Sequence, residues 1–254
     1  MLDLNAHILP GIHAATPDLA SALAAASDLV ASGVRTAVAP ALVADAPAQD
    51  LDRADTARHA LRDALAAADV PLRLLPGAVV PADVLASLPP DLMARCTAGD
   101  GGRWIVTTLP LAGWPLMIPA LIRGLDMGGM GLVIAHPERS ESVQASPDRL
   151  RDLLGRGALV QLGAGSMRGD HGPRPERTAF DLLRNGMVTV VASDAPSRTG
   201  HALDLDAVAD MLEKVLRRPH ADVSWMLDAG PQRIAAGELV RAPRLVPLPR
   251  AAAD

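Results

Sequence analysis

An apolar run that ends in Leu4-Asn5-Ala6-His7 carries the pattern by which two donors reach one metal ion, because alternate side chains of an extended strand share a face. The expected partner of such a histidine is a second imidazole. Here it is Asn5, which leaves His7 as the one strong donor of the pair. Further polar residues close other apolar runs: Thr107 and Thr108, His136 with Glu138 and Arg139, Ser166, and Ser193 with Asp194. Either these are separate strand ends tied up by hydrogen bonds, or they converge on one site. Several other chemistries are excluded. The chain has no Gly-rich phosphate loop of the Walker type, and its one cysteine, Cys96, lacks the arginine spacing of a cysteine-based phosphatase. Gly163-Ala164-Gly165-Ser166-Met167 lacks the Gly-x-Ser-x-Gly spacing of a nucleophile elbow.

The elements that must position these residues follow from hydrophobic period. Strands are expected near 2–6, 34–39, 72–76, 103–108, 131–135, 158–162 and 188–193, several of them uniformly apolar, as strands covered on both faces are. Helices are expected near 17–32, 50–69, 115–125, 147–156, 175–186 and 203–217, with another from about 221. Thr16-Pro17-Asp18 and Gly33 punctuate the first helix, with Asp18 in its first turn. Seven βα units with short links predict an α/β protein whose parallel strands close into a barrel rather than an open sheet. On that frame the polar residues above, together with Pro40 to Leu42 and Ala78 with Val79, all fall at C-terminal strand ends, the catalytic face of a barrel. Their convergence on one rim favours a site. Residues 1–240 are read as one barrel domain and the Pro-rich segment 241–254 as a loosely held tail.

Composition narrows the function classes. The chain has 254 residues, 49% of them hydrophobic and 21% charged, which is enough to build a substantial core. One Phe, three Trp and no Tyr leave the core to aliphatic side chains and remove the stacking platforms that single-stranded nucleic acid uses. A net charge of −5 argues further against a nucleic-acid partner. A lone cysteine excludes an intrachain disulfide and reads as a structural or surface thiol. No basic segment followed by an apolar one opens the sequence, so the expectation is a cytoplasmic protein. The uncharged stretch from Trp104 to Ile122 is long enough to span a membrane, but Pro110, Gly113, Pro115 and Pro119 break it into a strand, a loop and a helix start. Membrane insertion is not expected.

The segments DLNAHILPGI, LPGAVV, LVIAHPERS, ALVQLGAGSM, LLRNGMVTVVASDAP and GPQRIAAGE follow one another at natural spacing. In that order they resemble the bacterial polymerase-and-histidinol-phosphatase (PHP) type protein tyrosine phosphatases of capsular and exopolysaccharide systems. The resemblance implies a distorted seven-stranded TIM-like barrel, (β/α)7. It implies that about eight His, Asp and Glu side chains hold three metal ions, usually manganese-like, that bind phosphate and activate water. It also implies a phosphotyrosine protein, such as a polysaccharide-export tyrosine kinase, as partner.

Carried over residue by residue, the ligand set is incomplete. The first motif, normally His-x-His, reads Asn5-Ala6-His7; the Thr-Pro-His after the second strand reads Pro40-Ala41-Leu42. Val79 stands where the bridging Glu is expected, Thr108 where a further Glu is expected, and Pro196 where the closing Asp-x-His has its histidine. His7, His136 and Asp194 remain. Val, Leu and Pro offer no donor atom, and without the bridging carboxylate nothing offsets the repulsion between close cations, so three metal ions are not expected. Two imidazoles and a carboxylate can hold one Zn²⁺, or a similar ion such as Mn²⁺, with an open position for water, and Asn5 can add a weak carbonyl donor. In that case His136 and Asp194 are the catalytic residues. Alternatively the three are held by hydrogen bonds in a pocket with no ion.

Arg139 is the leading anion candidate, since a guanidinium offers paired donors matched to phosphate oxygens at any relevant pH. Its other reading is a salt bridge to Glu138 or a nearby acid. His201, where the family often has a phosphate-binding Arg, can meet an anion when protonated. Arg168 and Arg198 can supplement them, while His13, at a usually acidic position, and His171 remain ambiguous. Two functions follow. One is a metal-dependent phosphotyrosine phosphatase with a reduced, mononuclear site; the other is a catalytically impaired relative that keeps the barrel as a binding or regulatory module. The ligand losses favour the second.

Overall fold

Parallel strands alternating with helices build the structure, a computed structural model that describes residues 1–195, 205–216 and 220–241. Among those residues the strands are β1 (Leu2–Asp3), β2 (Thr36–Val38), β3 (Ala41–Leu42), β4 (Arg73–Leu75), β5 (Ala78–Pro81), β6 (Trp104–Thr108), β7 (Gly131–Ala135), β8 (Leu159–Gly163) and β9 (Val190–Ala192). They form a three-stranded sheet in the order β1-β2-β4 and a six-stranded sheet in the order β3-β5-β6-β7-β8-β9, every pair parallel.

Nine strands in two sheets are seen where seven were expected: β3 and β5 lie just past the expected strands 34–39 and 72–76, in residues expected only to form the rim. Ala39-Pro40 separates β2 from β3, and Pro76-Gly77 separates β4 from β5, because proline has no N–H to give to a ladder. Pairing nevertheless continues between the same two chain segments: Ala39 N–H donates to the Leu75 carbonyl at 3.1 Å and Ala41 N–H to the Gly77 carbonyl at 2.9 Å. Gly77 is required by this close approach, since a Cβ there would lie 2.6 Å from Val38 Cγ1.

Two sets of buried side chains divide the molecule into layers. Ala37, Val80, Ile105, Ile134, Val160 and Val191 face outward onto Ala22, Leu29, Leu61, Ile122, Leu150 and Leu182 of the helices. The alternate residues Leu2, Val38, Leu75, Val79, Val106, Val133, Leu159 and Val190 meet one another, which requires both sheets to curve around a common interior. The segment after β1 is held on both sides: Ala6 N–H donates to the Val38 carbonyl of β2 at 3.0 Å, and His7 N–H donates to the Ala195 carbonyl beyond β9 at 2.8 Å.

Each long helical pattern is present, beginning with Leu19–Ala31 and Pro47–Ala67 and continuing through Ile118–Met127, Asp148–Gly155, Pro173–Arg184 and Leu205–Leu216. Asp18 caps the first helix rather than lying in its first turn. Its carboxylate accepts Ser21 N–H at 2.8 Å in a reciprocal capping box. Short helices at Ala82–Leu85, Pro90–Arg95, Glu141–Ala145 and Ala164–Met167 span too few residues to show a period. The segment from Trp104 to Ile122 forms β6, a loop and a helix start at Ile118, with Pro119 inside the first turn, where its missing N–H costs nothing. No helix among the described residues is long and apolar enough to cross a membrane. The segment read as a Pro-rich tail lies outside the described residues beyond Arg241.

Candidate functional site

Asn5 and His7 reach the mouth of the interior because the first strand stops early. Leu2 and Leu4 point into the interior, whereas Ala6 and Ile8 pack outward, so the alternation changes face between Leu4 and Ala6. Asp3 fixes that change. Its carboxylate accepts Asn5 N–H at 3.2 Å and Ser193 N–H at 3.1 Å, and the Ser193 hydroxyl donates to its second oxygen. Burial raises the Asp3 pKa, against the bonds from Ser193 and Asn5, which favour the anion. Asp3 was not singled out from the sequence. An acid in an apolar strand next to the candidate ligands was the available signal.

His136 and Asp194 stand just beyond β7 and β9, each with a left-handed backbone, φ 51° and 55°. Such conformations cost a non-glycine residue about 1 kcal/mol or more, and they collect at functional sites. Here they turn both side chains across the mouth. Asp194 Oδ1 lies 3.1 Å from His136 Nε2 and accepts from Asn5 Nδ2 at 3.3 Å, while its Oδ2 accepts from Arg139 NH2 at 2.7 Å. Asn5 Nδ2 also lies 3.3 Å from His136 Nε2. The salt bridge expected from Arg139 to Glu138 or a nearby acid is present, and its close partner is Asp194. Glu138 Oε1 stays 3.9 Å from Arg139 Nε and instead accepts the Ser166 hydroxyl at 2.6 Å.

Charge in this cluster is balanced internally. Burial would lower the His136 pKa, but the charge and hydrogen bond of Asp194, helped by Glu138, outweigh it and raise the pKa to about 9. Burial works against ionised Asp194 as well, yet His136, Arg139 and His7 hold it well below the usual carboxylate range. His7 has no such partner. Burial first, and the positive neighbours next, lower its pKa to about 4 despite Asp194, so it is a neutral donor at physiological pH. Its ring stacks on His13 with centroids 5.2 Å apart and planes 19° apart, and His13 Nδ1 accepts Ala15 N–H at 3.2 Å.

Donor atoms of His7, His136 and Asp194 all lie within 4.8 Å of one another. Buried His7 Nδ1 and Asn5 Oδ1 have no hydrogen-bond partner. Two neutral-capable imidazoles, a carboxylate and an orphaned amide oxygen fit a single divalent ion. They do not fit a cluster of ions. Val79 is buried in the apolar interior set with Leu42 packed against that set, so neither position offers a donor, and Thr108 stands half-buried at the end of β6.

The remaining candidates distribute around the rim. Arg168 donates to Asp170 at 3.0 Å, so its charge is engaged within its own loop. His171 is half-buried; burial and then the charge of Arg139 lower its pKa, with Asp194, Glu138 and His136 also felt, which brings it to the same mouth. His201, Arg198 and Pro196 lie outside the described residues. Gly163, at the end of β8, went unnoticed in the sequence. A Cβ there would lie 2.1 Å from Asp194 Oδ2 and 3.0 Å from His136 Nδ1, so the cluster is packed against bare backbone.

The family described as capsular polysaccharide synthesis, CpsB/CapC, matches residues 1–229. Tyrosine-protein phosphatase YwqE of Bacillus subtilis (strain 168) is 29% identical over 201 residues, 77% of each chain. A solved structure from work on YwqE from Bacillus subtilis and CpsB from Streptococcus pneumoniae, described as metal-dependent tyrosine phosphatases, superposes with a TM-score of 0.81 at 25% identity, over 98% of this chain and 100% of that one. The organophosphorus hydrolase of Deinococcus radiodurans shares the fold, with a TM-score of 0.53 at 15% identity over 92% of this chain and 91% of that one.

Proposed function

Because this chain belongs to the capsular polysaccharide synthesis CpsB/CapC family, we propose that it is a phosphotyrosine-recognising, phosphatase-like protein of a bacterial capsule or exopolysaccharide system whose catalysis is impaired. Its partner in this reading is a phosphotyrosine protein such as a polysaccharide-export tyrosine kinase, met in the cytoplasm. Residues 1–240 act as one barrel domain of seven strand tracks, with β2 and β3 on one track and β4 and β5 on another.

The observation that carries the reading is the self-contained ion network. Asp194 is bonded on one oxygen to Arg139 at 2.7 Å and lies 3.1 Å from His136 on the other, and apolar Leu42 and Val79 stand where the family's further ligands are expected. In this arrangement Asp194 offsets the positive charge of Arg139 and protonated His136, and what the mouth offers a ligand is the remaining N–H donors of Arg139. A phosphate monoester takes the exposed donors of Arg139, with His201 as a second contact. Half-buried His7 and fully buried Asn5 lie beneath it.

A second reading has its own support in the orphaned His7 Nδ1 and Asn5 Oδ1. Here His7, His136 and Asp194, helped by Asn5, hold one ion, Zn²⁺ or Mn²⁺, which when bound polarises a phosphoryl oxygen and acidifies water. His136 must then be neutral, and Asp194 would serve the ion through Oδ1, the oxygen facing His136, while Arg139 keeps Oδ2.

Aryl-phosphate hydrolysis decides between the two. With manganese added, the expected rate is far below that of an intact family enzyme, and Asn5→His alone leaves it unchanged, since one imidazole cannot replace a bridging carboxylate. Brisk turnover abolished by Asp194→Ala would establish the second reading and overturn the first.

A further inference from the structure

Beside the site, on the same rim, runs a groove of about 470 Å³ whose lining includes Pro81, Thr108, Leu111, Trp114 and Met117, with Asp83 as its one charged residue. It begins where the site ends. Thr108 pairs in register with Ala135, the residue before His136, so one strand spacing of about 4.8 Å separates the groove from the mouth. Its outer loop is fastened to the turn that carries Arg139. Glu141 N–H donates to the Leu111 carbonyl at 2.8 Å, and the Ser142 hydroxyl donates to the Gly113 carbonyl at 2.8 Å. The groove and the guanidinium are therefore held in fixed relation.

Its surface is unusually apolar for an exposed loop. Of the six large hydrophobic residues that stand exposed among the described residues, Leu111, Leu116 and Met117 belong to this one loop, with Leu111 69% and Leu116 84% exposed. Trp114 is half-buried, and the Arg149 guanidinium covers one face of its ring at 5.5 Å. Leu111 and Met117 line the groove and Leu116 lies between Trp114 and Met117 in the same loop, and exposed apolar side chains gathered beside a groove are where binding surfaces form.

We infer that this groove takes apolar side chains next to the phosphorylated tyrosine of the partner, while Arg139 takes the phosphate. The inference rests on the phosphotyrosine reading above and names what makes it selective. The occupant follows from the continuity of the two surfaces: an anion bound at Arg139 brings its flanking chain across Thr108 into the groove. Free phosphotyrosine would reach only the first half.

Titration calorimetry on the full chain tests this with four ligands: free phosphotyrosine, a phosphotyrosine peptide flanked by leucines, the same peptide flanked by serines, and the leucine peptide without phosphate. The leucine-flanked phosphopeptide is expected to bind about tenfold more tightly than the serine-flanked one, the effect of burying one or two apolar side chains. Leu111→Ser combined with Met117→Ser, both at exposed positions, should erase that preference and leave free phosphotyrosine affinity unchanged. Equal affinity for the two phosphopeptides, or a preference that survives the double variant, overturns the inference while leaving the phosphotyrosine reading intact. The same holds if the double variant changes only self-association in sedimentation, which would assign the face to a second copy of the chain. If free phosphotyrosine does not bind but the unphosphorylated leucine peptide does, and the double variant abolishes it, the groove binds apolar peptide without phosphate, and the phosphotyrosine reading falls together with the inference built on it. If nothing binds, both fall.

Discussion

Arg139 shows most directly what one side chain does in this molecule, because its guanidinium is both the leading anion donor and a partner of Asp194 at 2.7 Å. Charge-assisted hydrogen bonds contribute roughly 1.5–3 kcal/mol each, so Arg139→Ala should weaken phosphate or phosphotyrosine binding by about tenfold or more at fixed salt. The bond to Asp194 adds a second consequence. The thermal transition should fall by several degrees, since a carboxylate only 10% exposed loses one of its two cationic partners. Calorimetric titration and a melting curve read the two effects separately, and a lowered transition with unchanged affinity would leave Arg139 a purely structural role. The two buried imidazoles make stability depend on pH in opposite senses. His136, raised to about 9 from an ordinary 6.5, adds stability that is complete below 6.5 and is lost as pH rises through 9. His7, lowered to about 4, binds fewer protons folded than unfolded, so its contribution is lost as pH falls from 6.5 towards 4. Between them, metal-free protein should be most stable near pH 6.5. A melting temperature that climbs steadily from pH 6.5 to 9 would contradict the protonated His136–Asp194 pair.

At the scale of elements, the site depends on strands that end early or lack a side chain. The turn fixed by Asp3 lets Asn5 and His7 face the mouth, and the bare backbone of Gly163 lets Asp194 and His136 lie against β8. Gly163→Ala should therefore cost about 1–3 kcal/mol of stability through overpacking, and it should weaken phosphate binding by displacing Asp194 from Arg139. Gly165→Ala is the control. Its added methyl would lie 3.1 Å from the end of the Asp170 side chain, which can move, so both effects should be smaller. If melting and phosphate titration give the same result for the two variants, the packing of Asp194 against β8 does not hold the site together.

For the whole molecule, the question is whether an ion is part of the fold. The inner and outer buried sets together draw on every strand and on the long helices packed around them, and the candidate ligands lie at one end of that core. Tightly bound metal should not exceed about one ion per chain in elemental analysis of dialysed protein, given the donors such sites require. Chelation should leave the circular dichroism spectrum unchanged. It should lower the melting temperature only by the amount that mass action on a single site predicts. Two or three ions retained through dialysis would mean that side chains beyond His7, His136, Asp194 and Asn5 complete a larger centre.

Much of this was legible in the sequence, because hydrophobic period and chain order are local properties. The alternation of short apolar runs with longer periodic ones gave the parallel α/β arrangement, and each expected strand segment contains a strand. His7, His136 and Asp194 could be named from the strand ends and the resemblance, and the fold brings their donor atoms within 4.8 Å of one another. The short strands β3 and β5, past Pro40 and Pro76, were read only as strand ends, because their pairing with each other depends on which segments the fold sets side by side. Other features depended wholly on tertiary structure. Arg139 bonds to Asp194 rather than to adjacent Glu138, because the left-handed turns at His136 and Asp194 aim residues 55 positions apart at one point. Asp3 and Gly163 acquire their roles only from what lies across the interior from them. Sequence by itself determined which elements form and which donors stand at their ends, since those follow from nearest neighbours along the chain. The tertiary structure alone decided which charges meet, since a buried ion pair is set by distances that folding creates.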